Sequence, residues 1–600
     1  MAANSLDMQF FSRDDMAVQI SNMWDEWYDY RKPAMARWEE VNQYRFATST
    51  RETTNASVGG FSPDQSARQG WSHSTHLPKL CNIADNLSAN YMMAMFSRPD
   101  WVMFEGHDEK SQAEKKRKVA EAYITTKCKL NNFRNEIQKC IDDWIGTGNC
   151  FGIVTYEAER YVDPDTGTEE VGYQGPKLER ISPYDIVFNP LSTSFSRSPK
   201  IISRLKSMGE LLREAEDCPE LGYDVEKIQD VIGRRTTATG VKNTRVLDKY
   251  RYLELSGIGS ATEYLRSGIV EIIEFYGDLY NSTTGEFLKN HVITIADRST
   301  VLRCMPVPTW GGVAPIFHCG WRTRPETLWA QGPLENLVGL QYMINHLQNT
   351  KADAFDEFVC PIEVTKGDVT REGSRFGGLL ADSYHVDGVD GDVQLMRPDP
   401  SFLQANMDIQ YLENLMEMYA GSPKEAMGIR SPGEKTAYEV QSLQNAAGRI
   451  FQNKIDYFSE NFVEPVVNAF IAVSARNLSG PDVVQITDDD FGAIEFRQIT
   501  KQDILSNGRL VPVGSRHFAE QARLAQTIST LRQVLGPEEL AHISSLDMAR
   551  VAVEAAGVSN MLKVTKFIRL GEMSEARQVQ GQLQEEEFMV ATQPTPEDLM

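Results

Sequence analysis

The sequence has few of the features that are typical of small secreted proteins and of membrane proteins. Its eight cysteines are scattered over 600 residues without a C-x-x-C pair or regular spacing, which argues against a disulfide framework and a cysteine-based zinc site. No apolar run approaches the length needed to cross a bilayer, and the amino-terminal stretch lacks the basic and apolar parts of a signal peptide. We therefore expect an intracellular protein with reduced thiols and no membrane contact.

Positive charge is also in short supply. The chain carries 84 Asp and Glu against 61 Lys and Arg, a formal net charge of -23. Such a chain repels DNA and acidic membranes at long range, so tight non-specific binding to nucleic acid is not expected. The hydrophobic share of 41% and charged share of 24% are ordinary for a globular protein. Its length predicts several structural regions instead of one core.

The amino-terminal half reads as helices followed by strands. Apolar residues at helical spacing predict helices over 12–46, 77–96, 111–130 and 133–144. From 150 to about 325, short β-branched and aromatic runs alternate with turn residues, and one helix is expected near 208–215. This pattern predicts antiparallel hairpins in an α+β region.

The carboxy-terminal half is predicted to be mainly helical. A helix over 332–359 and one over 401–420 flank a Gly- and Asp-rich stretch of short strands and turns, and a very long helix follows over 436–478. At about 1.5 Å per residue the long helix would span roughly 60 Å. Pro465 lies inside it and should kink it. Two strands and then further helices are expected beyond it.

The stretch GIRSPGEKTAYEV, 428–440, nearly matches a P-loop. Gly428 and Gly433 have the required separation, but Glu434 stands before Lys435 and Thr436. A P-loop needs a preceding strand and a loop that attracts phosphate, whereas the residues before this loop are helical in pattern and Glu434 is acidic. The preferred interpretation is a turn followed by a helix that starts near Thr436.

Other candidate chemical sites are weak. His73 and His76 could share a metal, but no Cys or carboxylate partners are near in sequence, so surface histidines are the preferred interpretation. The three aspartates 488–490 favour a solvated turn, and the basic run 114–118 favours a solvated helix face. No nucleophilic arrangement is visible. We expect no catalytic residue, no metal and no cofactor.

The order of helix, small β-rich module, helix, Pro/Gly loop and very long kinked helix resembles the portal (head-to-tail connector) proteins of tailed bacteriophages. RPETLWAQGPLENLVGLQYMINHLQNTKADAFD is similar to the family's segment leading into its first stem helix, with Gly332-Pro333, Leu340-Gln341, Asn345 and Asp353 at the expected places. SPGEKTAYEVQSLQNAAGRIF resembles the start of the long helix in podovirus-type members. LPKLCNIADNLSANYMMAMF and SPYDIVFNP resemble its wing. Together these cover most of residues 70–475.

The resemblance implies a portal-type architecture in which named regions follow one another along the chain. These are the wing (1–324), the first stem helix (325–359), the clip (360–400), the second stem helix (401–420), the tunnel loop (421–435), the long kinked helix (436–478), strands returning to the wing (479–517), a helical crown (518–590) and a tail (591–600).

The resemblance also implies a non-enzymatic function. Twelve copies would form a ring at one capsid vertex, through which double-stranded DNA is packaged and ejected. The clip would dock the terminase large subunit and then head-to-tail adaptor proteins, and the ring would contact major capsid and scaffolding proteins. The protein would be assembled in the host cytoplasm and reside in the virion, without a membrane. A ring of twelve would carry roughly -280 charges, so DNA should slide through it.

Three sets of residues follow from this architecture. The DNA-facing tunnel-loop residues are Lys424, Glu425, Arg430, Glu434 and Lys435. The motor- and adaptor-docking clip residues are Lys366, Arg371, Glu372, Arg375, Asp387 and Asp390. The stem-packing residues are Leu334, Leu337, Tyr342, Ile344 and Leu347.

Two alternatives remain open at the level of sequence. One is a nucleotide-dependent motor built around Lys435, which predicts ATP hydrolysis that disappears on Lys435→Ala. The other is a different structural head or scaffold protein without a channel, which does not need the order stem, clip, stem.

Overall fold

The computed structural model describes residues 5–48, 73–96, 101–106, 114–162, 167, 169–192, 194–217, 221–234, 269–308, 314–359, 362–366, 375–376, 379–380, 383–386, 393–396, 400, 404–420, 450–478, 482–487, 494–499 and 508–514. The chain divides into two compact units, Met1–Ser515 and Arg516–Met600. The second unit, which holds the predicted crown and tail, and the predicted tunnel loop both lie outside the described residues.

Nine helices are defined among the described residues, together with a helical segment over 450–458. They are α1 (Arg13–Phe46), α2 (Lys79–Met95), α3 (Glu114–Leu130), α4 (Phe133–Gly146), α5 (Met208–Asp217), α6 (Val225–Arg234), α7 (Val338–Val359), α8 (Ala405–Ala420) and α9 (Glu464–Asn477). The helices expected over 12–46, 77–96, 111–130, 133–144 and 208–215 are confirmed, and α6 was not predicted.

The described strands are short apart from two long hairpins, one with strands of 14 and 13 residues and one with strands of 13 and 10 residues. They are β1 (Ser5–Met8), β2 (Val102–Gly106), β3 (Asn149–Val162), β4 (Glu169–Ile181), β5 (Ile186–Phe188), β6 (Lys200–Ser207), β7 (Ile269–Asn281), β8 (Phe287–Ala296), β9 (Thr300–Pro306), β10 (Ile316–Gly320), β11 (Arg322–Arg324), β12 (Thr327–Gln331), β13 (Ile362–Lys366), β14 (Arg375–Phe376), β15 (Leu379–Leu380), β16 (Ser383–Val386), β17 (Val393–Met396), β18 (Asp482–Thr487), β19 (Ile494–Ile499) and β20 (Gly508–Pro512). The chain is therefore a mixed α+β protein, as expected.

A six-stranded sheet forms the centre of the amino-terminal region. Its path is β5-β6-β7-β8-β9, antiparallel throughout, and β1 adds to β7 in parallel. A second sheet has the order β10-β3-β4 and is also antiparallel. The predicted antiparallel hairpins are confirmed.

The six-stranded sheet is covered on both faces because its central strands are apolar on both sides. Ile273 and Phe275 pack with α1 through Trp24 and Trp38, which are almost fully buried. The opposite face packs against α5 and α6. Helix α1 begins with a capping box, in which Ser12 and Asp15 satisfy each other's backbone N–H groups.

The carboxy-terminal helical stretch lies against the second sheet and α4. Its described part runs over 450–458, passes through one π-helical turn at Ser459–Val463, and continues as α9. Pro465 is the second residue after that turn, where the first turn of a helix tolerates the missing N–H. Phe458 packs on Trp144 with ring centroids 4.8 Å apart. The full length of the expected helix 436–478 and its kink remain predictions, because 436–449 lies outside the described residues.

The predicted clip contains short strands, as expected. β13 is the centre of a three-stranded sheet, parallel to β16 and antiparallel to β17, and β14 pairs with β15.

The two strands expected after the long helix are also present, because β18 pairs with β19 in antiparallel register. β20 was not predicted and pairs with β2, some 400 residues earlier.

The entry to the first predicted stem helix differs from the expectation. Residues 327–331 form a strand that pairs with β11, and α7 begins at Val338 instead of Gly332. Between them Leu334 and Leu337 form a turn, and the Glu335 carboxylate accepts the Gly332 N–H at 3.1 Å. Pro333 keeps Gly332 out of a helix, since proline disfavours the helical conformation of the residue before it.

Among the described residues, no helix combines the length and apolarity that a bilayer span requires.

Candidate functional site: a clasped helix pair

Helices α7 and α8, here called the helix pair, run antiparallel beside one another. Lys351 Nζ donates to Asn406 Oδ1 at 2.7 Å near one end. Ile344 and Met416 are fully buried, and Ile409 and Leu412 nearly so. The two predicted stem elements therefore pack together within a single chain.

The five predicted stem-packing residues do not share one environment. Leu334, Leu337 and Ile344 are fully buried inside the chain, and Leu347 is partly buried. Tyr342 is 45% exposed and stacks on the His346 ring. Only Tyr342 is thus clearly accessible to a neighbour, and the packing of this set in a ring remains a prediction.

Four polar residues repeat along α7 at every fourth position. They are Gln341, Asn345, Asn349 and Asp353, and together we call them the polar ladder. The three amides are at most 1% exposed. Because buried amides are costly unless they are hydrogen-bonded, such a row needs a partner that offers several donors and acceptors.

The partner is the extended segment 73–78 and the first turn of α2, here together called the clasp, 73–80. The Thr75 N–H donates to Asn349 Oδ1 and Asn349 Nδ2 donates to the Thr75 carbonyl, both at 2.9 Å. Two residues further on, the Leu77 N–H donates to Asn345 Oδ1 at 3.2 Å. Side-chain amides of a helix thus hydrogen-bond this extended segment in the way that a neighbouring strand does in a sheet.

The same pattern continues into the first turn of α2. The Leu80 N–H, which has no helical acceptor at this position, donates to Gln341 Oε1 at 3.0 Å. Gln341 Nε2 donates to the Leu77 carbonyl and to Asn345 Oδ1. The ladder therefore caps α2, although its N-cap residue Pro78 makes no side-chain capping bond.

The histidine interpretation is wrong for His76. It is only 8% exposed and its Nδ1 lies 2.9 Å from Asn345 Nδ2, so it is a buried residue of the clasp that contacts the polar ladder. Since Asn345 Nδ2 is a donor, His76 Nδ1 accepts. The partner lies some 270 residues away in sequence, which is why sequence spacing gave no sign of it.

The clasp also holds the second helix of the pair. Lys79 Nζ forms an ion pair with Glu417 Oε1, and Glu417 is 6% exposed. A buried carboxylate without a partner would be strongly unfavourable. One short segment thus fastens α7 through neutral amides and α8 through a charge pair.

The end of the clasp that lies near the predicted clip carries a charged contact. His73 Nδ1 lies 2.6 Å from Asp353 Oδ1, and its Nε2 lies 3.4 Å from Asp356 Oδ2. The hydrogen bond to Asp353 raises the pKa of His73 above its ordinary value. Each ring nitrogen faces a different carboxylate, an arrangement that suits an imidazolium and not a metal ion. Among the described residues, no group of three or more His, Cys, Asp or Glu side chains is arranged so that it could hold a metal ion.

The outer surface of the helix pair is rich in exposed apolar side chains. On α7 they are Tyr342, Met343, Phe355, Phe358 and Val359, and on α8 they are Met407, Tyr411, Met418 and Tyr419. Met407, Tyr411 and Met418 share one face of α8 by helical spacing. A soluble monomer rarely exposes so many large apolar groups in one region.

The other predicted site residues are placed only in part. Lys366 ends β13 and Arg375 begins β14. Four clip residues and all five tunnel-loop residues lie outside the described part of the chain: Arg371, Glu372, Asp387, Asp390, Lys424, Glu425, Arg430, Glu434 and Lys435. Their roles remain predictions.

One pair of thiols was missed because its members are far apart in sequence. Cys150 and Cys319 lie directly opposite each other on β3 and β10, and Cys150 Sγ donates to the Cys319 carbonyl at 3.5 Å. Burial raises the pKa of Cys150 well above its usual range. The thiol is therefore protonated and packs as a small apolar group.

Neither the known protein-family models nor the curated protein sequences with which the chain was compared gave a match. Its function is therefore inferred from its residues and their geometry.

Proposed function

We propose that the chain is a non-enzymatic subunit of a ring, of the portal type found in tailed bacteriophages, through which double-stranded DNA passes. The observation that carries this proposal is the number of large apolar side chains exposed on the helix pair, three of which share one face of α8. Nine large apolar residues stand on the outside of two packed helices, and each copy needs a neighbour to cover them.

A closed ring satisfies that need because a heterologous interface repeats until it closes on itself. The face of α8 that bears Met407, Tyr411 and Met418 would pack against α7 of the next copy. Covering a large apolar side chain contributes roughly 1.5–3 kcal/mol. Several such residues per interface support a stable assembly.

The clasp supports the same proposal. A helix pair that lines a channel must keep its angle to the rest of the chain while DNA moves past it. Hydrogen bonds to the polar ladder and the ion pair between Lys79 and Glu417 hold both helices to one segment. The net charge of -23 per chain favours weak contact with DNA.

The partners and the location follow from this proposal. The strands between α7 and α8, β13–β17, would dock the terminase large subunit and later the adaptor proteins. Major capsid and scaffolding proteins would surround the ring at one capsid vertex of the virion. The tunnel loop would touch the passing DNA.

The assembly can be tested by charging the exposed face. Tyr411 and Met418 are about 60% exposed, so the double change Tyr411→Lys, Met418→Lys should leave the fold of the single chain intact. In sedimentation we expect the intact chain as a large closed oligomer and the double variant as a 67.6 kDa monomer.

Leu191→Lys is the matched control, because Leu191 is a 75% exposed apolar residue outside the helix pair. It should assemble like the unchanged chain. Equal assembly of the double variant would contradict the proposal, as would loss of assembly in the control.

A further inference from the structure

The carboxy-terminal end of α7 has an unfavourable arrangement of charge. Asp353, Asp356 and Glu357 occupy its last two turns, and the last turn has no basic residue. Carboxylates near the negative end of a helix dipole are destabilising, and cations there are stabilising. A positive group from elsewhere is needed.

His73, which lies 280 residues before Asp353 in the sequence, contacts these carboxylates. Its Nδ1 approaches Asp353 Oδ1 to 2.6 Å and its Nε2 approaches Asp356 Oδ2 to 3.4 Å. Its backbone N–H also donates to Asp353 Oδ1, at 3.1 Å. Among the described residues, Asp353 and Asp356 are the charged groups that act on the His73 ring.

Only the protonated ring can donate from both nitrogens. A neutral imidazole keeps one N–H, so one of the two carboxylates then faces a lone pair and its contact becomes repulsive. The clasp links made by Thr75, Leu77 and Leu80 involve neutral amides and backbone groups, so they do not titrate. His76, whose Nδ1 lies 2.9 Å from Asn345 Nδ2, is the second histidine of the clasp, so the effect of His73 is isolated by comparing the unchanged chain with a variant that lacks the His73 ring.

We propose that His73, Asp353 and Asp356 form a proton-dependent latch, which fastens the start of the clasp to the end of α7 when the ring is charged and releases it when the ring is neutral. The latch is a property of one chain and does not rest on the proposed function.

The direction of the effect follows from the sign of the shift. The pKa of His73 is raised in the folded chain, so its stabilising contribution is fully present below the ordinary value of 6.5. This contribution is lost as the pH rises through the raised pKa of His73. The side chain is 36% exposed, so added salt should weaken the latch as well.

The direct test measures the pKa of His73 in the full chain by deuterium exchange at the imidazole C2 position, read by mass spectrometry. We expect a higher pKa for His73 in the unchanged chain than in Asp353→Asn, Asp356→Asn, which keeps the shape and the acceptor oxygens but removes both charges. An equal pKa in the two proteins would overturn the proposal.

Backbone exchange in a peptide covering 73–77 supplies the second readout. Relative to His73→Gln at the same pH, the unchanged chain should exchange more slowly in acid, and the ratio should approach one as the pH rises. A constant ratio would contradict the latch. Asp356→Asn alone serves if the double variant fails to fold, because the Asp356 side chain is 67% exposed. It should lower the pKa of His73, and an unchanged value would count against the proposal.

Discussion

Thr75 and Asn349 exchange two hydrogen bonds, backbone N–H to side-chain oxygen and side-chain NH₂ to backbone oxygen, each 2.9 Å long. A residue of a helix thereby supplies the pairing that an extended segment would otherwise find in a sheet. Further along α7, Gln341 likewise accepts from one clasp N–H, that of Leu80, and donates to one clasp carbonyl, that of Leu77. The orientation of the helix pair relative to the body of the chain depends on it.

Removing the amide at Asn349 should open the clasp. Asn349→Leu keeps a side chain of similar branched shape but removes both bonds to Thr75, and we expect a loss of about 1–3 kcal/mol in the free energy of unfolding. Amide exchange over 73–77 should accelerate more than elsewhere. Thr350→Leu, at an exposed position one residue on, is the control and should change stability by about 0.5 kcal/mol or less. Equal effects of the two changes would contradict the role of the ladder.

Arg31 should be indispensable to the amino-terminal core. It is 1% exposed and donates to the carbonyls of Pro183, Tyr184 and Ile186. Burial lowers its pKa to about 10, so it stays charged at neutral pH. Arg31→Met should cost about 3–5 kcal/mol, because it leaves buried carbonyls without donors. Chemical denaturation would measure the loss.

Arg31→Lys tests whether the planar guanidinium matters or only its charge. Lysine cannot reach all the carbonyls with one ammonium group, so its stability should fall between those of the original chain and Arg31→Met. A lysine variant as stable as the original would refute the forked arrangement as the cause.

His318 should make the chain sensitive to acid. It stacks on Phe151 at 4.6 Å and its Nε2 lies 3.2 Å from Asn149 Oδ1. Desolvation, with the charge of Lys200 adding to it, lowers the pKa of His318 to about 3. In the unfolded chain His318 is protonated near pH 6.5, whereas in the folded chain it stays neutral until the pH approaches 3. The free energy of unfolding therefore falls as the pH drops from 6.5 towards 3.

His318→Gln can keep the contact with Asn149 and removes the titration. Between pH 6.5 and 4 it should lose roughly 2–3 kcal/mol less stability than the unchanged chain. Unfolding curves recorded at several pH values would measure the two slopes. Parallel slopes would show that His318 is protonated in the folded chain.

Two backbones cross closely at Gly148 and Gly332, just before α7. Gly148 has φ of +76°, and a Cβ there would lie 2.3 Å from Gly332 N. Gly148→Ala should therefore destabilise the chain by several kcal/mol, since the positive φ strains any residue with a Cβ and that Cβ would clash with the backbone at Gly332.

Gly339 provides the opposite case on α7. A Cβ there meets nothing within 4 Å, so Gly339→Ala should stabilise the chain by about 0.5–1 kcal/mol. Thermal unfolding of the two variants should move the melting temperature in opposite directions. A shift of the same sign in both would contradict the described backbone.

Local patterns predicted much of the fold. The apolar spacing of α1, α2 and α4 and the turn residues between the strands are visible in short windows of sequence, and these elements are found where expected. Element ends were harder to predict, as the late start of α7 shows, because they depend on local contacts such as that between the Gly332 N–H and the Glu335 carboxylate.

The site was harder to predict because it joins distant segments. Polar residues at every fourth position from Gln341 to Asp353 are visible in the sequence, but their partners at 73–80 lie some 270 residues away. His76 therefore read as a surface residue. The pairing of β2 with β20 and of Cys150 with Cys319 escaped notice for the same reason.

The central claim, a ring with a channel, is tested most directly by negative-stain class averages of the purified full chain together with its native mass. The account predicts rings with an open centre and about twelve subunits, roughly 0.8 MDa. Closed particles without a channel, or a stable 67.6 kDa monomer that persists when scaffolding protein is supplied, would contradict it.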